Sequence, residues 1–273
     1  MAIIMATGWE RILEYAKMSE NAYGDNFDVA LWQKVDTAEH PNSGYGAVAY
    51  FNPETGEVVI AHRGTTGLDD GLQDAGMYLF NSTGEQGELA LAFTNYIKQN
   101  FPNAKITHTG HSLGGSLANY MAKLDTASTA IAFDPLGTAG IKDFWDKLTT
   151  GKDKHDNILN LVSDPNVVNG AKPHAGKVIA LGNKKPLVPH PTNSHSMAGY
   201  IIPLIEAKAA TQRAAKQALA TASNDTPKLA QPNAVNVCIP RHTCQANAPA
   251  PCQPNTPTAK ELAEMVKTYR PRQ

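Results

Sequence analysis

The sequence predicts an α/β protein whose central sheet is mostly parallel and flanked by helices. Three observations carry this. Short apolar runs at residues 58–62, 104–109, 129–133, 157–162 and 177–181 each end in polar, turn-forming residues. Segments with helical spacing separate or precede them, at residues 8–23, 84–99 and 115–124. The residues able to do chemistry gather where strands end, which is where open α/β sheets hold their sites.

Each element has a local reason. Ile12, Leu13, Tyr15, Ala16 and Met18 recur near helical spacing among Glu10, Arg11, Glu14 and Lys17, and Gly24-Asp25-Asn26 breaks that helix. Residues 45–51 and 58–62 read as a hairpin, because Asn52-Pro53-Glu54-Thr55-Gly56 between them is turn chemistry. Arg63-Gly64-Thr65-Thr66 then opens a loop carrying Asp69, Asp70 and Asp74. The strand at 129–133 closes in Asp134-Pro135-Leu136-Gly137, and a short helix is expected over 141–149. The strand at 157–162 ends in Ser163-Asp164-Pro165-Asn166. After 177–181 the chain loops through Pro186, Pro189 and Pro191, and a helix begins near Ser196.

Beyond Thr221 the composition shifts to Pro, Asn, Ala and Thr with little apolar periodicity. Residues 1–221 therefore read as one α/β domain. Residues 222–273 read as an extended tail with a short helix at 259–267.

Composition narrows the function. The chain has 273 residues, enough for one large α/β domain. A formal net charge of −1 and the lack of a basic run argue against nucleic acid. No stretch approaches the roughly 18 apolar residues of a membrane span. The start, Met1 to Gly8, has neither the basic opening nor the long apolar core of a secretory signal. The expectation is a cytoplasmic protein or one exported by a signal-independent route. Cys238, Cys244 and Cys252 lie close together, and an odd number does not close a disulfide framework. A single tail disulfide with a spare thiol is the remaining pairing. With His242 the cysteines match no familiar zinc spacing, so neither a metal nor an organic cofactor is expected.

The most informative stretch is Thr109-Gly110-His111-Ser112-Leu113-Gly114-Gly115-Ser116-Leu117-Ala118. A strand runs into G-x-S-x-G and a small-residue helix follows, the setting of a nucleophile elbow. Ser112 must sit at a sharp turn so that its hydroxyl stands clear. Gly110 and Gly114 leave no side chain where strand and helix meet. The helix beginning at Leu113 aims its first amides at an oxyanion formed beside Ser112.

A serine needs a base, and the base an orienter. Asp164 ends a late strand, and His195 follows on a loop just before a helix; these are the preferred acid and base. Asp134, which also ends a strand, is the alternative acid. His174 and His190 are alternative histidines, while His111 is too near along the chain and packs beside the elbow. Leu113 supplies one oxyanion amide. Thr65, after a permissive Gly64, is expected to supply the second.

Ala61-His62-Arg63-Gly64-Thr65-Thr66, the Ser112 motif, Val162-Ser163-Asp164-Pro165 and the opening Tyr15-Ala16-Lys17-Met18-Ser19-Glu20-Asn21-Ala22-Tyr23 together resemble the class 3 (fungal lipase-like) lipases over residues 8–205. The resemblance implies an α/β-hydrolase fold and hydrolysis of carboxylic esters of lipids. By position it implies Ser112 as nucleophile, Asp164 as acid, His195 as base, and Thr65 with Leu113 as the oxyanion amides. His62 stands where the family often has Phe, and the lid segment after Thr66 is here acidic and interrupted by glycine.

The expected partners are a lipid or ester substrate and a membrane surface. Export machinery, with the tail as its docking or export element, and a cognate inhibitor are the further candidate partners. The weighed alternatives are a hydrolase-fold binding protein without catalysis, and a thioesterase or peptidase on the same scaffold.

Overall fold

In the computed structural model the described residues are 2–64, 85–138, 155–164, 169–170, 173–182 and 195–224. They form a seven-stranded sheet in which the strands lie side by side in chain order. β1 (Gln33–His40), β2 (Tyr45–Asn52) and β3 (Glu57–His62) are antiparallel neighbours. From β3 onward the pairing is parallel, through β4 (Lys105–His111), β5 (Thr129–Phe133), β6 (Ile158–Val162) and β7 (Lys177–Ala180). The helices are α1 (Ala2–Asn21), α2 (Glu85–Asn100), α3 (Leu113–Leu124) and α4 (Ile202–Asn224), the last preceded by a π-turn at Met197–Ile201.

The side-chain period of two assigns each strand residue to a layer. On β3, Val59 and Ala61 pack with Ile12, Met18 and Ile205 of α1 and α4. Val58 and Ile60 face the other way, onto Leu89, Phe93 and Met121 of α2 and α3. β3 is thus covered on both faces, which is why it reads as an apolar run without polar alternation. The β2–β3 turn forms as its sequence requires, since Asn52 Oδ1 accepts the amides of Glu54 at 2.9 Å and Thr55 at 3.2 Å.

Three boundaries differ from expectation. β1 is a strand that the sequence does not announce. It lies at the sheet edge, and its polar run, Gln33-Lys34-Val35-Asp36-Thr37-Ala38-Glu39-His40, suits a strand with one free side. α1 begins before residue 8, bending where Gly8 takes φ 74° and ψ 156°. α4 continues to Asn224, so the first residues assigned to the tail are helical. The expected helices at 141–149 and 259–267, the segment after Thr66 and the three cysteines all lie outside the described residues.

Candidate active site

β4 delivers Ser112 to the carboxyl edge of the sheet. Ser112 has φ 57° and ψ −126°, a conformation that non-glycine residues adopt at a cost of about 1–3 kcal/mol. Two backbone bonds hold it there. The Ser112 amide donates to the Phe133 carbonyl at 3.0 Å, tying the elbow to β5, and the Ser112 carbonyl accepts the Ser116 amide at 3.1 Å. The glycines are demanded by close approach. A Cβ on Gly114 would run into the His62 carbonyl oxygen and the backbone of Arg63 and Gly64. One on Gly64 would strike the Tyr23 hydroxyl and the His111 carbonyl. The end of β3 and the start of α3 therefore touch backbone to backbone.

Tyr23 fastens this junction. Its hydroxyl donates to the His111 carbonyl at 3.3 Å and accepts the Gly64 amide at 3.1 Å. Leu113 is the first residue of α3, so its amide belongs to the helix N-terminus with no intrahelical acceptor. Thr65 follows Gly64 directly and lies outside the described residues.

His195 sits immediately before the π-turn that leads into α4, and is buried. Its Nδ1 is 3.2 Å from Asp134 Oδ2. Because the Asp134 oxygen accepts, Nδ1 carries a proton, and in the neutral imidazole Nε2 presents a lone pair. Among the described residues neither His195 Nε2 nor Ser112 Oγ has a hydrogen-bond partner, though both atoms are buried. A base and nucleophile not yet joined by a hydrogen bond are common when no substrate is bound. The His195 ring lies against that of His111, with centroids 4.4 Å apart and planes 38° apart. His111 Nε2 donates to the His195 carbonyl at 2.7 Å, which fixes the backbone at His195. Burial, and then the neighbouring His195, push the His111 imidazole down to about 3, so it stays neutral.

The residue against His195 is not the one the sequence preferred as the acid. Asp134, not Asp164, meets the imidazole. Asp134 follows β5 directly, has φ 41° and is fully buried. Its carboxylate accepts the Ser163 amide at 2.6 Å, the Ser163 hydroxyl at 2.6 Å and the Asn169 amide group at 3.0 Å. Burial alone would raise this carboxyl. The bond and charge of His195, with the Ser163 and Asn169 donors, outweigh burial and hold it below the usual carboxylate range.

Asp164 lies one strand over, at the end of β6, and its Oδ2 accepts the Tyr200 hydroxyl. The physical reason for the difference is geometric. Strands β5 and β6 are parallel neighbours ending at the same edge, and adjacent strands are only about 4.8 Å apart. Either terminal Asp can therefore be the one that a returning loop meets. Here Ser163 and Asn169 turn Asp134 toward His195, while Asp164 is engaged by the turn beyond it. Of the alternative histidines, His174 donates Nε2 to the Asn169 carbonyl at 2.8 Å, and His190 lies outside the described residues. Ser163, Asn169, Tyr23 and Tyr200 carry no motif of their own in the sequence. Ser163, adjacent to a strand-ending Asp, was the nearest thing to a signal.

A second histidine pair lies under the site. His62 Nε2 and His108 Nδ1 are 3.1 Å apart, with the rings stacked at 22°. Burial pushes His62 down to about 3 and His108 well below the ordinary imidazole value. Among the described residues no group of three or more His, Cys, Asp or Glu side chains is arranged to hold a metal ion.

A mostly parallel sheet flanked by helices, with a serine elbow after β4 and a buried His–Asp pair beside it, defines an α/β-hydrolase fold. Residues 19–132 match the family described as Mbeg1-like. That stretch runs from the end of α1 into β5 and contains the elbow. Comparison with curated proteins finds no match. Among solved structures, Lip2 lipase from Yarrowia lipolytica superposes with a TM-score of 0.49 at 15% identity, covering 68% of this chain and 82% of that one. A triacylglycerol lipase from Penicillium expansum gives 0.47 at 14% identity, covering 64% and 80%. The Rhizomucor miehei lipase propeptide complex gives 0.46 at 15%, covering 71% and 78%.

Proposed function

We propose that the protein is a serine hydrolase of carboxylic esters with lipid acyl groups, and that Ser112, His195 and Asp134 are its catalytic residues. The observation that carries the reading is the buried His195–Asp134 pair lying beside a serine held at positive φ. The lipid class is supported by the class 3 lipase-like match.

In this reaction His195 Nε2 takes the Ser112 proton as Oγ bonds to the acyl carbon. The carbonyl electron pair moves onto oxygen, and the amides of Leu113 and Thr65 hold that oxyanion. Asp134 keeps the imidazole in the Nδ1–H tautomer and stabilises the imidazolium. Collapse expels the alcohol, which leaves with the proton from His195, and an acyl-Ser112 ester remains. Water enters, His195 deprotonates it, and the second tetrahedral species releases the carboxylic acid and restores Ser112. The reaction calls for no cofactor, since every proton and electron pair is accounted for by the three side chains and water.

The test is turnover of p-nitrophenyl acyl esters and of phospholipid vesicles by wild type and Ser112→Ala. Ester hydrolysis that falls to background in the variant supports the reading. A folded wild type that turns over acyl-thioesters but no oxygen ester would replace it with a thioesterase.

A further inference from the structure

His111 is the last residue of β4 and pairs with Phe133 of β5, so the sheet holds its backbone. It is buried, and it touches the reacting pair from two sides. Its carbonyl belongs to the peptide whose amide is that of Ser112. That carbonyl accepts the Tyr23 hydroxyl at 3.3 Å, and the Ser112 amide donates to the Phe133 carbonyl at 3.0 Å. The peptide entering the nucleophile is thus held at both of its polar atoms. The side chain reaches the other way. His111 Nε2 meets the His195 carbonyl at 2.7 Å, across 84 positions of chain. A carbonyl only accepts, so Nε2 carries the hydrogen. One residue therefore joins the backbone of the nucleophile to the backbone of the base.

The contact suits a neutral ring. The His111 and His195 imidazoles lie with centroids 4.4 Å apart, and burial first, then His195, pushes His111 down to about 3. A neutral His111 still donates its N–H, and it puts no positive charge beside a ring that must become an imidazolium. The next carbonyl along the chain is held as well. Ser196 accepts the amides of Tyr200 and Ile201 at 3.1 and 3.0 Å. Two consecutive carbonyls are thus fixed, that of His195 by the elbow strand and that of Ser196 by the π-turn. With the backbone pinned, the imidazole meets Ser112 Oγ by rotation about its own side-chain bonds.

We infer that His111 is a positioning residue for the proposed reaction, its Nε2–H holding the His195 carbonyl and so setting the separation of base and nucleophile. This rests on the proposed reading of Ser112 and His195. Small displacements of a reacting group are costly to rate, so loss of this bond acts on turnover while substrate binding is left in place.

The experiment compares His111→Gln, His111→Asn and His111→Phe on a p-nitrophenyl ester, after fluorophosphonate labelling of the wild type. A folded wild type that does not label would overturn the reading of Ser112 and His195 itself, a result distinct from those below. A Gln amide nitrogen can take the place of Nε2, whereas an Asn amide nitrogen takes that of Nδ1 and falls short of the His195 carbonyl. His111→Gln is expected to keep kcat within about threefold of wild type, because the donor is restored. His111→Asn and His111→Phe are expected to lower kcat about tenfold or more with KM unchanged. Circular dichroism and thermal midpoints show whether a lost rate is a lost fold. Where the Phe variant is unfolded, the Gln and Asn variants carry the test, since both are uncharged amides that differ in reach. Equal kcat in these two, whether both are near wild type or both reduced, would overturn the inference. A loss carried by KM would also overturn it, and would place His111 in the substrate pocket instead.

Discussion

The His195 imidazole is 3.2 Å from the Asp134 carboxylate, which ends the strand directly after the elbow. In the proposed triad the order along the chain is therefore Ser112, Asp134, His195. The pairing also explains why Ser163 spends two donors on a residue 29 positions away.

Ser163→Ala removes one of the donors that holds the Asp134 carboxylate. A hydrogen bond to a charged group contributes about 1.5–3 kcal/mol, so kcat/KM for an ester substrate is expected to fall roughly ten- to a hundredfold. Steady-state kinetics check it, and wild-type kinetics in this variant would mean that His195 alone sets the carboxylate.

Gly114→Ala is expected to be damaging without touching the chemistry. The new Cβ would meet the His62 carbonyl and the backbone of Arg63, so β3 and α3 would have to separate. Overpacking of this kind costs about 1–3 kcal/mol, and the urea midpoint reads it. Because the same displacement moves the turn that leads to Thr65, ester hydrolysis is expected to fall further than stability alone explains.

The buried histidines make the fold acid-sensitive. His62 is pushed by burial from 6.5 down to about 3, and the unfolded chain offers the same imidazole to protons near 6.5. Below that pH the unfolded state binds protons that the folded state refuses, so stability falls as pH falls through the window between these values. His62 alone is expected to cost about 2 kcal/mol between pH 7 and 5, with His108 and His111 adding in the same direction. Urea unfolding at the two pH values measures the loss. In His62→Phe the difference between pH 7 and pH 5 should shrink by about that amount, and an unchanged difference would assign the acid sensitivity elsewhere.

Much of this was legible in the residues. The apolar runs, the Asn52–Gly56 turn and the Gly110–Gly114 elbow are local statements, made by chemistry within a few positions, and each element formed where that chemistry lies. β1 was not legible because an edge strand needs little apolar surface, and its pairing partner β2 supplies the reason it is extended. The choice between Asp134 and Asp164 was not local at all. Both end parallel strands, both precede a proline, and both end up buried. What separates them is which carboxylate the returning chain meets, together with the donors of Ser163 and Asn169 and the hydroxyl of Tyr200. Only the folded arrangement brings those together. The positive φ of Asp134, like that of Ser112, is a property of the assembled edge; at Ser112 the flanking glycines gave it away, and at Asp134 nothing did.

The central claim is that Asp134 orients His195. Its most direct test is kcat/KM on a p-nitrophenyl ester for Asp134→Asn beside Asp164→Asn, with folding verified for both. The account predicts a loss of about 10⁴-fold for Asp134→Asn, the scale expected when an imidazole loses the carboxylate that sets its tautomer, and a near wild-type rate for Asp164→Asn. A near wild-type Asp134→Asn with a collapsed Asp164→Asn would contradict it.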